Sequence, residues 1–539
     1  MGDKKMSMAL TTFKISLPET VVPEKVPPRW HLLATFSSLC ILALMVSLDA
    51  TSLPVALPVV SKDLGGTAVE AFWSATSFLL ASTVFQPIIG SFSHLYGRKS
   101  LMYVSLLLFF VGSIIIATGK SFTVVILGRT IQGSGGGGIL CLTGLIIVDK
   151  VPLRERGKWI SLVGAMWSIG TVTGPLLGGG LAKETLWRWI FWINLPLLGI
   201  AIIIIAVFLD SEATPGSFTE KLKELDWVGM ALFLPSITGV MIPITRGGIE
   251  CPWDSWRTLV PLFISTAGLL VFALHQEYVA TNPLIRTSVF KNLSASIVFI
   301  QTIVYGIILG AVFLYLPLYF EAVKGMSPMM AGVAIFPWTF TVAPSAMVTG
   351  IAITKIAKYR WANWLGWCLT TVGIGLLVLL KSDTPTGVWV GVSLVGGIGL
   401  GMLYPAMLIA VQASSSIENQ TYSTNIFTFV RAFGQALGIA VGGVVFQNRI
   451  EKRMLSKPLM SEMAGEYSKD AVGLVQIIKG MQETEMKSQL RESFTHALMW
   501  TWIFIACLSG FAFLASFLLE RYNVSSPGGK EDSIQDEEK

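Results

Sequence analysis

Long apolar runs recur along the whole chain, and no other feature restricts its fold so severely. They fall at about 33–59, 70–93, 100–118, 122–148, 158–182 and 187–209, then at 227–245 and 258–279. Six more follow at about 294–320, 329–353, 361–380, 387–411, 422–447 and 496–519. Many exceed the roughly 18 to 20 residues that a helix needs to cross a bilayer. The composition agrees, with 53% of residues hydrophobic and 13% charged, against about 25% charged in soluble domains. The expected fold class is therefore an all-α polytopic membrane protein of about fourteen spans.

Charge in the short loops sets the orientation. Arg98, Lys99, Lys150, Arg154, Arg156, Lys158, Lys355, Lys358 and Arg360 lie on the side of the N-terminus, whereas the opposite loops at 61–69, 119–121 and 381–386 hold one Lys each. Basic loops face the cytoplasm, so both termini are expected there. The N-terminal stretch holds Lys4, Lys5, Lys14, Lys25 and Arg29 without an apolar core, so no cleavable signal is expected and the first span serves for insertion. The net charge of +6 fits such loops beside an anionic leaflet better than a nucleic-acid surface. Four of the five cysteines sit within apolar runs, which argues against a disulfide framework.

The domain reading is a disordered cytoplasmic N-terminus 1–32, a six-helix half 33–209, a linker 210–293 with two extra helices, a second six-helix half 294–519, and a disordered tail 520–539. The connection 448–495 lies outside, and its stretch from Ala471 to Met481, with Val472, Leu474, Val475, Ile477 and Ile478, reads as an amphipathic helix on the outer surface. The sequons at Asn292, Asn419 and Asn523 face the cytoplasm in this topology and are expected to be unmodified.

The two halves are related by repetition. Gly174-Pro-Leu-Leu-Gly178 returns as Gly434-Gln-Ala-Leu-Gly438, and Gly90-x3-His94-Leu95-x-Gly97-Arg98-Lys99 returns in degenerate form from Gly350, both at an offset of 260 residues. Leu57-Pro58 answers to Leu316-Pro317, offset by 259. Parallel repeats of this kind mark secondary transporters. The glycine strip from Gly170 through Gly174, Pro175, Gly178 and Gly179 to Gly180 suits close helix contact and bending. Paired by the repeat with Gly434–Gly438, it is expected at the seam between the halves.

Ionisable groups inside spans are functional candidates by default. At 1.5 Å per residue, Asp49 lies roughly 20 Å from the cytoplasmic face and Arg129 roughly 10 Å below the outer face of a core about 30 Å thick. The two depths match. An Asp49–Arg129 pair can form there as a switch that weakens when Asp49 takes up a proton; the alternatives are a permanent structural ion pair and separate polar contacts to backbone. Polar groups in other spans, namely Gln132, Gln301, Tyr305, Tyr404, Asn425, Arg431 and Gln435, either line a central cavity or bond neighbouring helices. Trp187, Trp189 and Trp192 around Arg188 read as interfacial anchors. Gly133-x-Gly135-x-x-Gly138 matches a dinucleotide fingerprint only formally, since no strand precedes it, and no Walker A sequence occurs. Neither a metal site nor a catalytic set can be assembled from the four histidines, and no cofactor is expected.

Several of these segments together resemble the major facilitator superfamily, and within it the fourteen-span drug:proton antiporter branch. Leu48-Asp49-Ala50-Thr51 with Ala56-Leu57-Pro58 resembles that branch's first-span signature. Gly90 to Lys99 resembles the superfamily's cytoplasmic loop, Leu127-Gly128-Arg129-Thr-Ile-Gln132-Gly133-x-Gly135 its proton-coupling motif, and Gly170 to Gly179 its antiporter motif. Trp187-Arg188-Trp189-Ile-Phe-Trp-Ile-Asn194-Leu-Pro196 is the most specific match, with Asp226-Trp227-Val-Gly229 and Tyr315-Leu-Pro-Leu-Tyr-Phe as further echoes. The resemblance implies a major facilitator fold, proton coupling at Asp49 and Arg129, and a gating loop of Gly90, Gly97, Arg98 and Lys99. Arg98 is then expected to pair across the halves in one state. His94 stands where the family usually has Asp, which removes one acidic partner for Arg98. The expected function is proton-driven export of small, largely apolar organic molecules by a monomer, most simply in the plasma membrane, with the vacuolar membrane as the alternative. An importer or vacuolar exchanger of polar nutrients, and a non-transporting sensor, are the competing readings.

Overall fold

The computed structural model describes residues 29–522 apart from 67, 183–185, 211–216, 248–250, 459, 462, 468–470 and 483. The expectations for most of the two terminal segments and for Asn523 lie outside the described residues. The chain is built of long helices: α1 Arg29–Leu64, α2 Ala68–Tyr96, α3 Arg98–Thr118, α4 Phe122–Lys150, α5 Leu153–Leu181 and α6 Leu186–Phe208. Then come α7 Trp227–Arg246, α8 Trp256–Tyr278, α9 Leu293–Ala322, α10 Pro328–Ile356, α11 Arg360–Leu377, α12 Thr386–Ala413, α13 Gln420–Leu455 and α14 Glu485–Ser516. Among the described residues, thirteen helices are long and apolar enough to cross a membrane, the exception being α11. Its 18 residues span about 27 Å, and Trp361, Trp364, Trp367 and Asn363 lower its hydropathy. It nevertheless packs between α12 and α14 and carries the chain across, giving fourteen crossings.

Packing displays the internal repeat. α1 lies on α5 as α9 lies on α13, α2 on α4 as α10 on α12, and α3 on α4 as α11 on α12. The halves meet through α5 against α10 and, equivalently, α13 against α2. α7 joins this interface from outside, its Phe233 lying 5.6 Å from Phe429 of α13, while α8 packs on α7 and is mostly exposed to the lipid side. Local chemistry sets the helix starts. Asp226 accepts from the Gly229 N–H at 2.7 Å to cap α7, and Ser217 and Glu220 form a capping box on the short helix before it. Asn292 caps α9, accepting from Ser294 N at 2.9 Å while donating to Ser414 O and Tyr522 Oη at 2.9 Å, which leaves this sequon no free amide for a sugar.

Outside the membrane, α13 and α14 run on as a pair tied by Arg453–Glu492 at 2.8 Å and Lys457–Glu492 at 2.5 Å. The helix expected near 471–481 forms over Ala471–Gly480. Leu474, Val475 and Ile478 are buried in the protein, and Lys479 pairs with Glu321 at the end of α9 at 2.5 Å. It therefore caps the bundle instead of lying on lipid.

Candidate functional site

Helices α1, α2, α3, α4 and α6 converge on Asp49, which is 1% exposed, and on Arg129, also 1% exposed. Arg129 Nη1 donates to Asp49 Oδ2 in an ion pair. The other carboxylate oxygen accepts from Gln132 Nε2 at 2.9 Å and from Asn194 Nδ2 at 2.8 Å. Gln132 is held in turn, accepting from Arg129 Nη1 at 2.7 Å and donating to Ser113 Oγ at 2.9 Å. Arg129 Nε reaches the Ser74 carbonyl at 3.2 Å, and the guanidinium lies 4.2 Å from the Phe78 ring centroid. Each charge is thus neutralised and hydrogen-bonded, the condition under which a buried pair is tolerated. Gln132, expected along the cavity, belongs to this sealed cluster.

The α5 glycine strip supports the same site from behind. A Cβ on Gly170 would stand 2.7 Å from the Leu44 carbonyl, one on Gly174 would strike the Thr51 side chain, and one on Gly178 would strike the Ser52 carbonyl. Gly170, Gly174 and Gly178 therefore pack on α1, the helix that carries Asp49, and not at the seam as expected, whereas Pro175 and Gly179 of the same strip do face α10 across it. Gly434 and Gly438 meet the carbonyls of Ile303 and Ile307 on α9, so symmetry makes the two strips equivalent contacts, each inside its own half. The seam uses another face of α5: Gly157 against Gly350, Ser161 Oγ donating to Ala346 O at 2.7 Å, and Pro175 at 2.9 Å from the Cβ position of Gly332. The glycines of α4 work similarly, Gly135 lying 2.5 Å from Phe109 N by its Cβ position and Gly137 against the Ser82 carbonyl. They serve helix packing.

On the side of the basic loops, expected to face the cytoplasm, the halves are closed. Gly97, at φ 86°, occupies the left-handed region that favours glycine and turns α2 into α3. Arg98 then pairs with Asp149 of α4 at 2.8 Å and touches Ser93 at 2.5 Å and His94 Nδ1 at 3.4 Å. This partner lies in the same half, so the expected cross-half pairing of Arg98 is not made in this state. His94 makes the crossing, stacked 4.5 Å from Tyr422, whose ring also carries the Arg286 guanidinium at 4.2 Å. Lys99 donates to the Ala206 carbonyl at 2.9 Å. Further in, Asn425 accepts from Cys141 Sγ at 3.1 Å and fills the space beside Gly90. Arg156 of α5 donates to Gln412 at 3.2 Å and Gln420 at 2.7 Å.

Of the residues expected along a cavity, Asn425 thus belongs to this closure. Gln301 is fully buried inside the C-terminal half, donating to Ala512 O at 3.0 Å and accepting from Asn363 at 3.3 Å, and is a helix-bonding group. Tyr305, Tyr404 and Arg431 remain together: the Tyr rings are 6.5 Å apart, Arg431 lies 5.8 Å from the Tyr404 ring, and Phe427 is 5.9 Å from it. Tyr404 faces Gly164 of α5, at 4.0 Å from its Cβ position, so this group looks across the midplane between the halves.

The sequence profile described as Major Facilitator Superfamily matches residues 39–439. The chain belongs to that superfamily. It is a secondary transporter, integral to a membrane, that binds small-molecule substrates. It is 57% identical over 522 residues to a protein called MFS transporter L2 of a Phoma species, covering 96% of this chain and 87% of the relative. It is 33% identical to the MFS-type efflux pump LUC4 of a Fusarium species, covering 93% and 89%, and 33% identical to the MFS-type efflux pump MMF1 of Mycosarcoma maydis, covering 80% and 70%. Among solved structures, the human organic anion transporter MFSD10 shares the fold at TM-score 0.60 and 15% identity over 91% of this chain and all of that one. The proton:xylose symporter XylE does so at 0.58 and 12%, over 94% and 99%.

In this major facilitator chain, sequence reading missed several members of the site. Asn194 stands in the Trp187–Pro196 segment that resembles the family, yet its role depends on α6 turning it toward α1. Asp149 and Arg156 look in sequence like ordinary loop charges. Trp187, expected as an interfacial anchor, is fully buried and donates to Asp63 at 2.9 Å, whereas Trp189 is 55% exposed as an anchor should be.

Proposed function

We propose that the protein exports small organic molecules across the plasma membrane in exchange for protons, acting as a monomer whose two halves rock about the α5–α10 and α2–α13 contacts. The observation that carries this reading is the Asp49 cluster. It holds one carboxylate and one guanidinium inside the membrane, tied to several helices at once, so protonating Asp49 leaves Arg129 without its counter-charge. Breaking a buried pair in that way costs about 3–5 kcal/mol, a large share of the roughly 5.5 kcal/mol that inverts a two-state equilibrium. The sealed cluster must then rearrange, and α1 transmits the change to α5 through the glycine strip. A closed cytoplasmic side with the ion pair intact fits a state that awaits a proton from outside.

The test is protein reconstituted in vesicles and offered a lipophilic dye from outside, with an imposed pH gradient. Uptake into inside-out vesicles acidified within is expected, and it should stop when the gradient is collapsed. Transport that continues undiminished without the gradient sinks proton coupling, and flux only in the opposite direction sinks export.

A further inference from the structure

Three arginines lie buried or half-buried within spanning helices, and they are treated differently. Arg129 has Asp49, and Arg156 has two glutamines and the carbonyls of Val148 and Val151 at 2.9 and 2.8 Å. Arg431 has no carboxylate or hydrogen-bond partner for its guanidinium among the described residues, and its Nε is buried without one. The guanidinium lies over the face of Tyr404 at 5.8 Å, a contact that does not neutralise charge. An unpaired cation at membrane depth is costly, and its retention points to an anion that arrives from elsewhere.

Its placement shows from where. Arg431 is eleven residues beyond Gln420, the start of α13, about 16 Å from the cytoplasmic end and so near the midplane. Asn425, in the closed cytoplasmic contact, is six residues earlier on the same helix, about 9 Å nearer the cytoplasm. The side chain is half-buried and shares the group that faces α5 across the two halves. Its backbone is fixed, because Gly306 of α9 lies against the Arg431 carbonyl and its Cβ position is 2.8 Å from Gln435 N. Tyr404 lies beside the cation, with the rings of Tyr305 and Phe427 6.5 and 5.9 Å from its own.

We propose that the transported molecule is an organic acid: an oxyanion seated on Arg431, with an apolar or aromatic body against Tyr404. Guanidinium offers an oxyanion a two-pronged, charge-assisted contact, and a neutral cargo would leave the cation uncompensated. The inference rests on the reading of the chain as a carrier with a central cavity, and it narrows that cavity's cargo from apolar molecules in general to amphiphilic acids.

The test uses the full-length protein in nanodiscs, titrated with 11-(dansylamino)undecanoic acid and with its primary amide at pH 7.5. Wild type is expected to bind the acid about tenfold or more tightly than the amide, as one charge-assisted contact allows. Arg431→Gln should lose that preference by weakening the acid alone, with amide binding and the gel-filtration profile retained, and Arg431→Lys should recover part of it. Equal affinity for acid and amide in wild type, no binding of the acid, or a preference that survives in Arg431→Gln each overturns the proposal. Asp49→Asn separates it from the coupling mechanism: this variant should keep the acid preference while losing gradient-driven transport. If transport in wild type proves independent of the gradient, the proton reading falls and the acid preference is judged by the titrations alone.

Discussion

Asn194 donates to the one oxygen of Asp49 that Arg129 does not occupy, and it is 2% exposed. Replacing it by Leu keeps the volume close and removes that donor, leaving Gln132 as the only side chain among the described residues on Asp49 Oδ1. A hydrogen bond to a charged group contributes about 1.5–3 kcal/mol. Asn194→Leu is therefore expected to slow gradient-driven transport by about tenfold or more at near-normal membrane abundance, measured as an initial rate in vesicles; a rate within about twofold of wild type would show that the cluster does not need it. At this scale the sequence was legible where charge and depth coincide. Asp49 and Arg129 could be paired from helix rise alone, because an acid and a base at one depth in hydrocarbon have few other solutions. Gln132, Gln301 and Asn425 were not separable, since an amide in an apolar helix looks the same whether it faces a carboxylate, a neighbouring carbonyl or a cavity. Only the rotation of each helix decides, and that is a property of the packed bundle.

Among elements, α5 gives the sharpest contrast. Gly178 and Gly180 stand in the same glycine run, yet a Cβ at Gly178 would meet the Ser52 carbonyl while one at Gly180 meets nothing within 4 Å. Gly178→Ala should push α1 and α5 apart and cut transport severely, whereas Gly180→Ala should be close to neutral, both read by efflux and by membrane abundance. Equal effects would reduce the strip to a matter of propensity. The sequence marked the strip as a contact but assigned Gly170, Gly174 and Gly178 the wrong partner, because a repeat identifies equivalent positions without saying whether equivalents touch. The start of α6 carries a pH-dependent prediction. Asp63, beyond the Trp30–Leu57 part of α1, accepts from Trp187 Nε1 at 2.9 Å and pairs with Arg188 at 2.9 Å. The indole hydrogen bond first, and the guanidinium with it, hold its carboxyl below its ordinary value of 3.8 against the upward push of partial burial. A lowered folded value means that its stabilisation is complete above the unfolded range near about 3.9 and is lost only as pH falls through the lower folded value. The drop in melting temperature caused by Asp63→Asn should accordingly be the same at pH 7 and pH 5. A gap that shrinks markedly at pH 5 would mean the carboxylate is already titrating there.

For the whole molecule, the repeat and the span count were legible, because membrane thickness acts on every segment independently. The state of the molecule was not, since closure is a property of two halves meeting. That closure has a native reporter. Cys141 is fully buried, with its thiol 3.1 Å from Asn425 across the interface, and it lies nine residues from Lys150 at the cytoplasmic end of α4, about 13 Å deep. Arg156, which bridges to Gln412 and Gln420, holds the same side shut. Losing two bonds from a charged group, at about 1.5–3 kcal/mol each, is enough to raise a minor cytoplasm-open population by more than tenfold. In a variant whose other cysteines are changed to serine, Arg156→Ala should therefore speed maleimide labelling of Cys141 in inside-out vesicles by about tenfold or more. The acceleration should disappear when the same reagent is presented from the outer face. Labelling as slow as with Arg156 in place would place the restraint elsewhere on the cytoplasmic side, with the His94–Tyr422–Arg286 stack the next contact to remove.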